Sequence, residues 1–247
     1  MHWRRTLSFS GVILNKRRTV VTVVHARMGS SRFPGKMMAL LGDHPILEWV
    51  LTRSLRISDS DHFVLATSDL PIDDVIAEFG RNSGIEVFRG SNDNVLQRVI
   101  DASERHQPDA VVRICADNPF IEPNLVSDLV RHFRNNWCDY LFNHRPGLGL
   151  TIADGFGAEI FDYSVLRTIE HRFSEPRYRE HLTSALWEHT DLFDVRSLLP
   201  SPALADDRFR FDVDVLHDLL YLEGLVTRGK ITLSSTASEI MEVARAR

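Results

Sequence analysis

The sequence predicts an α/β protein in which a mostly parallel, twisted sheet lies between two layers of helices. Three observations carry this expectation. Short β-branched or apolar runs recur at 19–24, 62–67, 85–88 and 110–114. Stretches with helical spacing of apolar residues separate them. The connections are long enough for right-handed crossovers between parallel strands.

Taken in order, Thr19-Val20-Val21-Thr22-Val23-Val24 is too short for a helix and typical of a buried parallel strand. A loop rich in Gly, Ser, Arg and Pro follows. Residues 45–57 then set Ile46, Leu47, Val50, Leu51 and Leu55 at helical spacing, with Pro45 suited to the first turn. A strand at 62–67, a helix at 72–82, a strand at 85–88, a helix at 92–106 and a strand at 110–114 continue the alternation. The second half is less regular, with strands expected at 139–143, 157–161 and 193–198 and helices at 164–172 and 177–188. A last strand at 208–211 precedes two terminal helices. The second of these starts at Thr236-Ala237-Ser238-Glu239, where the Thr hydroxyl and the Glu carboxylate satisfy opposing orphan amides.

A chain of 247 residues with 43% hydrophobic content can bury one sizeable core, so 19–247 are expected to form a single domain. The net charge of −5 argues against a nucleic-acid binder, although a local basic pocket suffices for a small anion. Cys115 and Cys138 show neither CxxC nor zinc-ligand spacing, so no disulfide framework or zinc site is expected and a cytoplasmic setting fits. No apolar run reaches the roughly 18 residues of a membrane-spanning helix, and no membrane insertion is expected. Residues 1–18 carry Arg4-Arg5 and Lys16-Arg17-Arg18 around a short apolar centre. They are only faintly like a signal peptide, because polar residues interrupt the centre and no small-residue cleavage site follows. They are expected to be a disordered extension, or upstream sequence read from a mistaken start codon.

Immediately after the first strand stands Ala26-Arg27-Met28-Gly29-Ser30-Ser31-Arg32-Phe33-Pro34-Gly35-Lys36, where α/β sheets bind ligands. Gly29 and Gly35 let backbone amides approach an anion, Ser30 and Ser31 add donors, and Arg27, Arg32 and Lys36 can neutralise a triphosphate. By composition alone, a basic surface turn is the competing reading. The loop is neither a P-loop nor a Gly-x-Gly-x-x-Gly dinucleotide fingerprint.

This loop resembles the signature of the cytidylyltransferase family, which includes the CMP-sialate and CMP-Kdo synthetases, and most of all its SpsF branch of spore-coat polysaccharide biosynthesis. The likeness recurs in order at Ala66-Thr67-Ser68-Asp69, Val87-Phe88-Arg89-Gly90-Ser91, Val112-Arg113-Ile114-Cys115-Ala116-Asp117-Asn118-Pro119 and Arg179-Glu180-His181-Leu182-Thr183. It spans nearly all of 19–230. The resemblance implies the three-layer fold of nucleotide-diphospho-sugar transferases (GT-A-like), with CTP and a sugar or sugar acid such as a nonulosonate as substrates and a homodimeric assembly.

The resemblance makes Asp117 a metal ligand; unaided, an Asp before Asn-Pro is as well explained as a turn former. Asp212 and Asp214 lie two apart on an extended segment and project to one side, and paired hard oxygens suit Mg²⁺ or another divalent cation. Asp214 matches the family's Val-Asp-Thr-Pro-Glu-Asp better, although Thr-Pro-Glu is replaced here by Val215-Leu216-His217. A helix cap is the competing reading for Asp214. In Asp154-Gly155-Phe156-Gly157-Ala158-Glu159 one family acid is missing, and Glu159 is expected either to meet a sugar hydroxyl or the metal or to be an exposed strand residue. His181 is expected on the acceptor side. The resemblance sets Arg89, Ser91 and Asp93, with main-chain groups of Ala26, beside the base.

The expected reaction is in-line attack of an acceptor oxygen on the α-phosphorus of CTP, with pyrophosphate leaving. Arg27, Lys36, Asp117 and Asp214 are its expected catalytic residues. Two other readings stay open: a glycosyltransferase using Asp212-Val213-Asp214 as its Asp-x-Asp, and a non-catalytic nucleotide-binding relative.

Overall fold

The computed structural model describes residues 17–246, so most of the stretch expected as an N-terminal extension lies outside the described residues. Its elements run β1 (Val20–His25), β2 (Leu40–Leu41), β3 (His44–Pro45), α1 (Ile46–Ser54), β4 (His62–Ser68), α2 (Asp74–Asn82), β5 (Glu86–Gly90), α3 (Val95–Glu104), β6 (Ala110–Cys115) and α4 (Pro123–Asn135). Then follow β7 (Tyr140–Phe142), β8 (Glu159–Asp162), α5 (Tyr163–Arg172), α6 (Pro176–Glu180), α7 (Ser184–Glu188), β9 (Val195–Ser197), α8 (Leu216–Gly229) and α9 (Ala237–Arg245).

The main sheet has the order β5-β4-β1-β6-β8-β7-β9. β8 runs antiparallel to β6 and β7, while the other neighbouring pairs are parallel. Alternation along β1 explains the layers. Val21 and Val23 face α3, α5, α8 and α9 through Val99, Ile169, Leu222 and Ile240. Val20 and Val24 face α1 and α4 through Leu47, Val50, Val126 and Leu129. Both faces are covered, which is why β1 reads as a continuous apolar run.

The chain winds from β1 outward to β4 and β5, then returns to add β6 on the other side of β1. The loops leaving β1 and β6 therefore diverge at a topological switch point and open a cleft at the carboxyl ends of the strands.

Four elements differ from expectation. α4 had no counterpart, although Leu125, Val126, Leu129, Val130 and Phe133 form a buried stripe on it. The β2–β3 hairpin, closed by Gly42, is too short to give a periodic signal. The helix expected at 177–188 is two short helices: the backbone leaves helical values at His181 (φ −112°, ψ 70°), and the turn between them buries Leu182. The strand expected at 208–211 is a crossing segment with a single bridge between Asp154 and Arg210. Its amides find partners one at a time, Phe211 on Asp154 O at 3.0 Å and, just beyond it, Val213 on Asp117 O at 2.8 Å. It thus passes over the carboxyl end of the sheet instead of extending it. Pro45 precedes α1 as its N-cap residue rather than standing in its first turn. The Thr236–Glu239 capping pair forms as expected. Among the described residues no helix is long and apolar enough to cross a membrane.

Candidate active site

The loop after β1 is held from beneath. The buried Asp73 carboxylate accepts from Met28 N at 2.7 Å and from the amide and hydroxyl of Ser68. Within the loop, the Ser30 and Gly35 amides both donate to Met28 O, at 2.9 and 3.0 Å. Gly35 adopts φ 76°, a left-handed conformation that costs a residue with a Cβ. The chain turns there and sends Lys36 inward, where it is only 7% exposed.

Lys36 is the hub of the site. Its Nζ donates to Val213 O at 2.7 Å and to Asp117 Oδ2 at 3.1 Å, and lies 3.8 Å from Asp214 Oδ1. Arg32 reaches the same Asp214 oxygen at 2.9 Å. Arg210 reaches Asp214 Oδ2 at 2.8 Å and grips both oxygens of Asp212 with Nε and Nη2. Burial alone would raise the Asp214 carboxyl, but Arg210, Lys36 and Arg32 outweigh it and hold the group below the ordinary carboxylate range. For Asp212 burial prevails, and the group is raised despite Arg210.

Asp117 stands in a turn closed by Asn118 N on Cys115 O at 3.2 Å, but its side chain does not bond the turn, and Asp214 does not cap α8. The cap of α8 is supplied by Asp218, which accepts from the Asp214 and Val215 amides at 2.8 Å each. This leaves the Asp214 carboxylate for the cations. Asp117 gives Oδ2 to Lys36, and its Oδ1 has no protein partner among the described residues.

A cavity of about 420 Å³ is lined by Ala26, Arg27, Ser30, Arg32, Lys36, Asp117, His181 and Asp214, with Val95, Arg98, Arg113, His25 and Cys115 also facing it. A second cavity, about 620 Å³, shares Cys115, Asp117, His181 and Asp214 with the first and adds His144, Arg145, Asp154 and Asp212. The two acids beside Lys36 thus stand at the junction of two chambers, one basic and one of mixed charge. His25 Nε2 lies 3.0 Å from Cys115 Sγ. Burial, with Arg113, Arg98, Arg27 and Lys36 nearby, holds this histidine well below its ordinary value, and burial pushes the thiol up to about 12. The pair is neutral near pH 7. In the second chamber, burial and the Asp212 charge push Asp154 up to about 6.

Several expected residues stand elsewhere. Glu159 is 2% exposed, paired with Arg113 and accepting from Tyr140 at 2.5 Å. Its carboxylate braces Arg113 from below and does not line either chamber. Arg89 is spent on Ser68 O at 2.9 Å, Leu70 O at 2.9 Å and Asp74 at 2.6 Å. Ser91 accepts from Asn94 N at 3.1 Å and Asp93 from Asn92 at 2.6 Å; like Gly29, they do not line the first chamber. Arg98, Arg113, Arg145, Asp154 and Arg210 are site residues that the sequence reading missed. Arg98 left a signal, since it falls on the same α3 face as Val95, Val99 and Ala102, where a charged residue is out of place. Arg210 left another, two residues before Asp212 on an extended segment.

Among the described residues no three His, Cys, Asp or Glu side chains converge into a ready-made metal centre, and Arg210 occupies both oxygens of Asp212. Asp117, whose Oδ1 has no protein partner among the described residues, remains as a hard donor facing the basic chamber, beside Asp214, which shares its oxygens with Arg32 and Arg210. That set fits a cation such as Mg²⁺, which takes one or two carboxylates and completes its shell with substrate phosphates and water.

The sequence pattern of the cytidylyltransferase family matches residues 21–199. An uncharacterized protein of Methanocaldococcus jannaschii is 33% identical over 205 residues, covering 83% of this chain and 82% of that protein. The spore coat polysaccharide biosynthesis protein SpsF of Bacillus subtilis is 28% identical over 228 residues, covering 90% of this chain and 92% of its own. Among solved structures, a cytidylyltransferase from Leptospira borgpetersenii superposes with a TM-score of 0.85 at 28% identity, covering 92% of this chain and 94% of that one.

Proposed function

The chain belongs to the cytidylyltransferase family, and from that premise we propose that it transfers CMP from CTP to a hydroxyl of a sugar or sugar acid. Pyrophosphate is released, and the enzyme works in the cytoplasm as a step in making surface polysaccharide. The polysaccharide setting is supported by the likeness to SpsF. The observation that carries the reaction is the Lys36 ammonium fixed between Asp117 and Asp214, beneath a basic loop and between two chambers.

In this reading the triphosphate lies along Arg27, Ser30, Arg32 and Lys36, whose charges offset the phosphates and the charge that develops on the departing pyrophosphate. The acceptor enters the second chamber, where His181, Arg145 and Asp154 orient its hydroxyls. Attack by the acceptor oxygen on the α-phosphorus breaks the bond to the β-phosphate, and no covalent enzyme intermediate is needed. A divalent cation held by Asp117 and Asp214 would supply further neutralisation of phosphate charge when bound. Asp212 belongs to the architecture of this pair, because Arg210 ties it to Asp214. A glycosyltransferase reading of Asp212-Val213-Asp214 is disfavoured by the match to the cytidylyltransferase family. The same proposal includes a homodimer, supported by exposed apolar residues such as Leu148 and Leu199 in the second half of the chain; light scattering tests it.

The test of the reaction is pyrophosphate release from CTP, UTP, ATP and GTP with Mg²⁺, against nonulosonic, Kdo-like and phosphorylated sugar acceptors. CTP-dependent, acceptor-dependent release supports the proposal. Release of a nucleoside diphosphate from a nucleotide sugar would sink it, and tight CTP binding without turnover on any acceptor would favour a non-catalytic relative.

A further inference from the structure

Arg98 is 1% exposed, sits on α3 and forms part of the wall of the first chamber. Its Nη1 donates to Ser91 O and to Asn92 O. Among the described residues nothing accepts from Nε or Nη2, and no carboxylate lies within ion-pair distance; Nε is a buried donor without a partner. Asp73 and Asp69 meet its charge only from beyond contact, and buried donors are as a rule satisfied. The unspent donors therefore point to something that enters the chamber.

The two free groups share one edge of the guanidinium, so together they form a planar two-donor fork. Beside Arg98 the wall is built of the buried apolar residues Ala26 and Val95, whereas Arg27, Arg32 and Lys36 of the loop already serve the phosphates. An uncharged flat ring with two adjacent acceptors matches such a place. Cytosine presents O2 and N3 as neighbouring acceptors. Uracil presents O2 beside an N3–H donor, which would oppose one tine of the fork.

We propose that Arg98 is the residue that selects cytosine, donating from Nε and Nη2 to N3 and O2 of the base. The assignment rests on the CTP reading above and replaces Arg89, whose donors are spent on its own loop. A site built to hydrogen-bond a substrate group discriminates strongly against the analogue that lacks it, because the protein donor is then left buried and unpaired.

Binding of CTP, UTP and 3-deaza-CTP, in which N3 is replaced by C–H, is measured by calorimetry on the full chain, for the wild type and for Arg98→Lys and Arg98→Gln. The wild type is expected to bind 3-deaza-CTP roughly tenfold and UTP about 100-fold more weakly than CTP. Arg98→Gln is expected to weaken CTP binding roughly 30-fold or more while bringing the three ligands to within a few fold of one another. Arg98→Lys keeps the charge but not the fork, and loses the discrimination too. An equal loss for all three ligands would make Arg98 a phosphate or ribose contact and overturn the assignment, as would discrimination that survives both substitutions. The wild-type comparison of CTP with 3-deaza-CTP needs no variant to fold, and equal affinity there is also fatal to the assignment. A wild type that binds CTP without discrimination ends this inference alone, whereas one that binds no nucleoside triphosphate ends the functional reading with it.

Discussion

Lys36 and Asp117, 81 residues apart, meet at 3.1 Å. One follows β1 and the other follows β6, and the pairing of those two strands in register from Val20–Ala110 to His25–Cys115 brings their loops together. The Val213 carbonyl at 2.7 Å ties the crossing segment to the same ammonium. Three distant stretches of chain are thus joined through one charge.

Replacing Lys36 by Met keeps the stem and removes that charge. Acceptor-dependent pyrophosphate release is expected to fall by about 10²–10³-fold, the range seen when one preorganised charge-stabilising donor is lost. Steady-state kinetics beside a thermal melt checks this. A melt nearly unchanged with activity intact would show that Lys36 only holds the loop.

Asp214 and Asp218 separate function from stability. Asp214→Asn is expected to lower turnover by at least about 100-fold and to raise the Mg²⁺ concentration needed for half-maximal rate. Asp218→Ala removes the acceptor of two amides at the start of α8 and is expected to cost about 1 kcal/mol, or roughly 2–4 °C in Tm. Calorimetry and kinetics on both variants check the contrast, and equal melting losses would contradict it.

Asp117→Asn keeps the shape but removes the charge paired with Lys36. Turnover is expected to fall at least as far as for Asp214→Asn, and raised Mg²⁺ is not expected to restore it. Full rescue by Mg²⁺ would reduce Asp117 to a weak cation site.

Gly157→Ala is expected to destabilise the fold by about 2–4 kcal/mol or to prevent folding, as overpacking against rigid backbone does. A Cβ there would lie 2.2 Å from Asn143 O. Chemical denaturation of the purified variant reads this out.

His144 lies in the second chamber with its pKa lowered from 6.5 to about 4, chiefly by burial. Between those values the unfolded chain binds a proton that the folded chain does not. The stabilising contribution is therefore complete above pH 6.5 and is lost as pH falls toward 4. Asp154, raised to about 6 in the same chamber, contributes in the opposite sense over much of this window, so the His144 share is read as the difference between wild type and His144→Phe, whose denaturation midpoints should rise less with pH. His25, lowered in the same sense, leaves a residual slope.

The parallel half of the sheet was legible because β1, β4 and β6 are buried on both faces over most of their length and are rich in apolar residues there. The basic loop was legible because Gly, Ser, Arg and Lys crowd into a short span directly after β1. Asp117 and Asp214 stood out by resemblance, and each had an equally plain local explanation in the sequence. α4 was legible and passed over. The segment at 208–211 was not: its Phe-rich alternation is that of a strand, and its pairing through a single bridge, Asp154 to Arg210, among the described residues makes it a crossing segment.

What the sequence determined by itself is therefore what depends on local pattern: the alternation of strands and helices, the capped start of α9, the basic loop after β1 and the family. Only the tertiary structure decided which charges remain available. Arg89 and Glu159 carry the right chemistry but spend it on Ser68, Leu70 and Asp74 in one case and on Arg113 in the other. Arg98 spends Nη1 on its own loop and carries Nε unspent. A donor's availability depends on who else is within about 3 Å, and that is set by contacts between residues far apart in the chain.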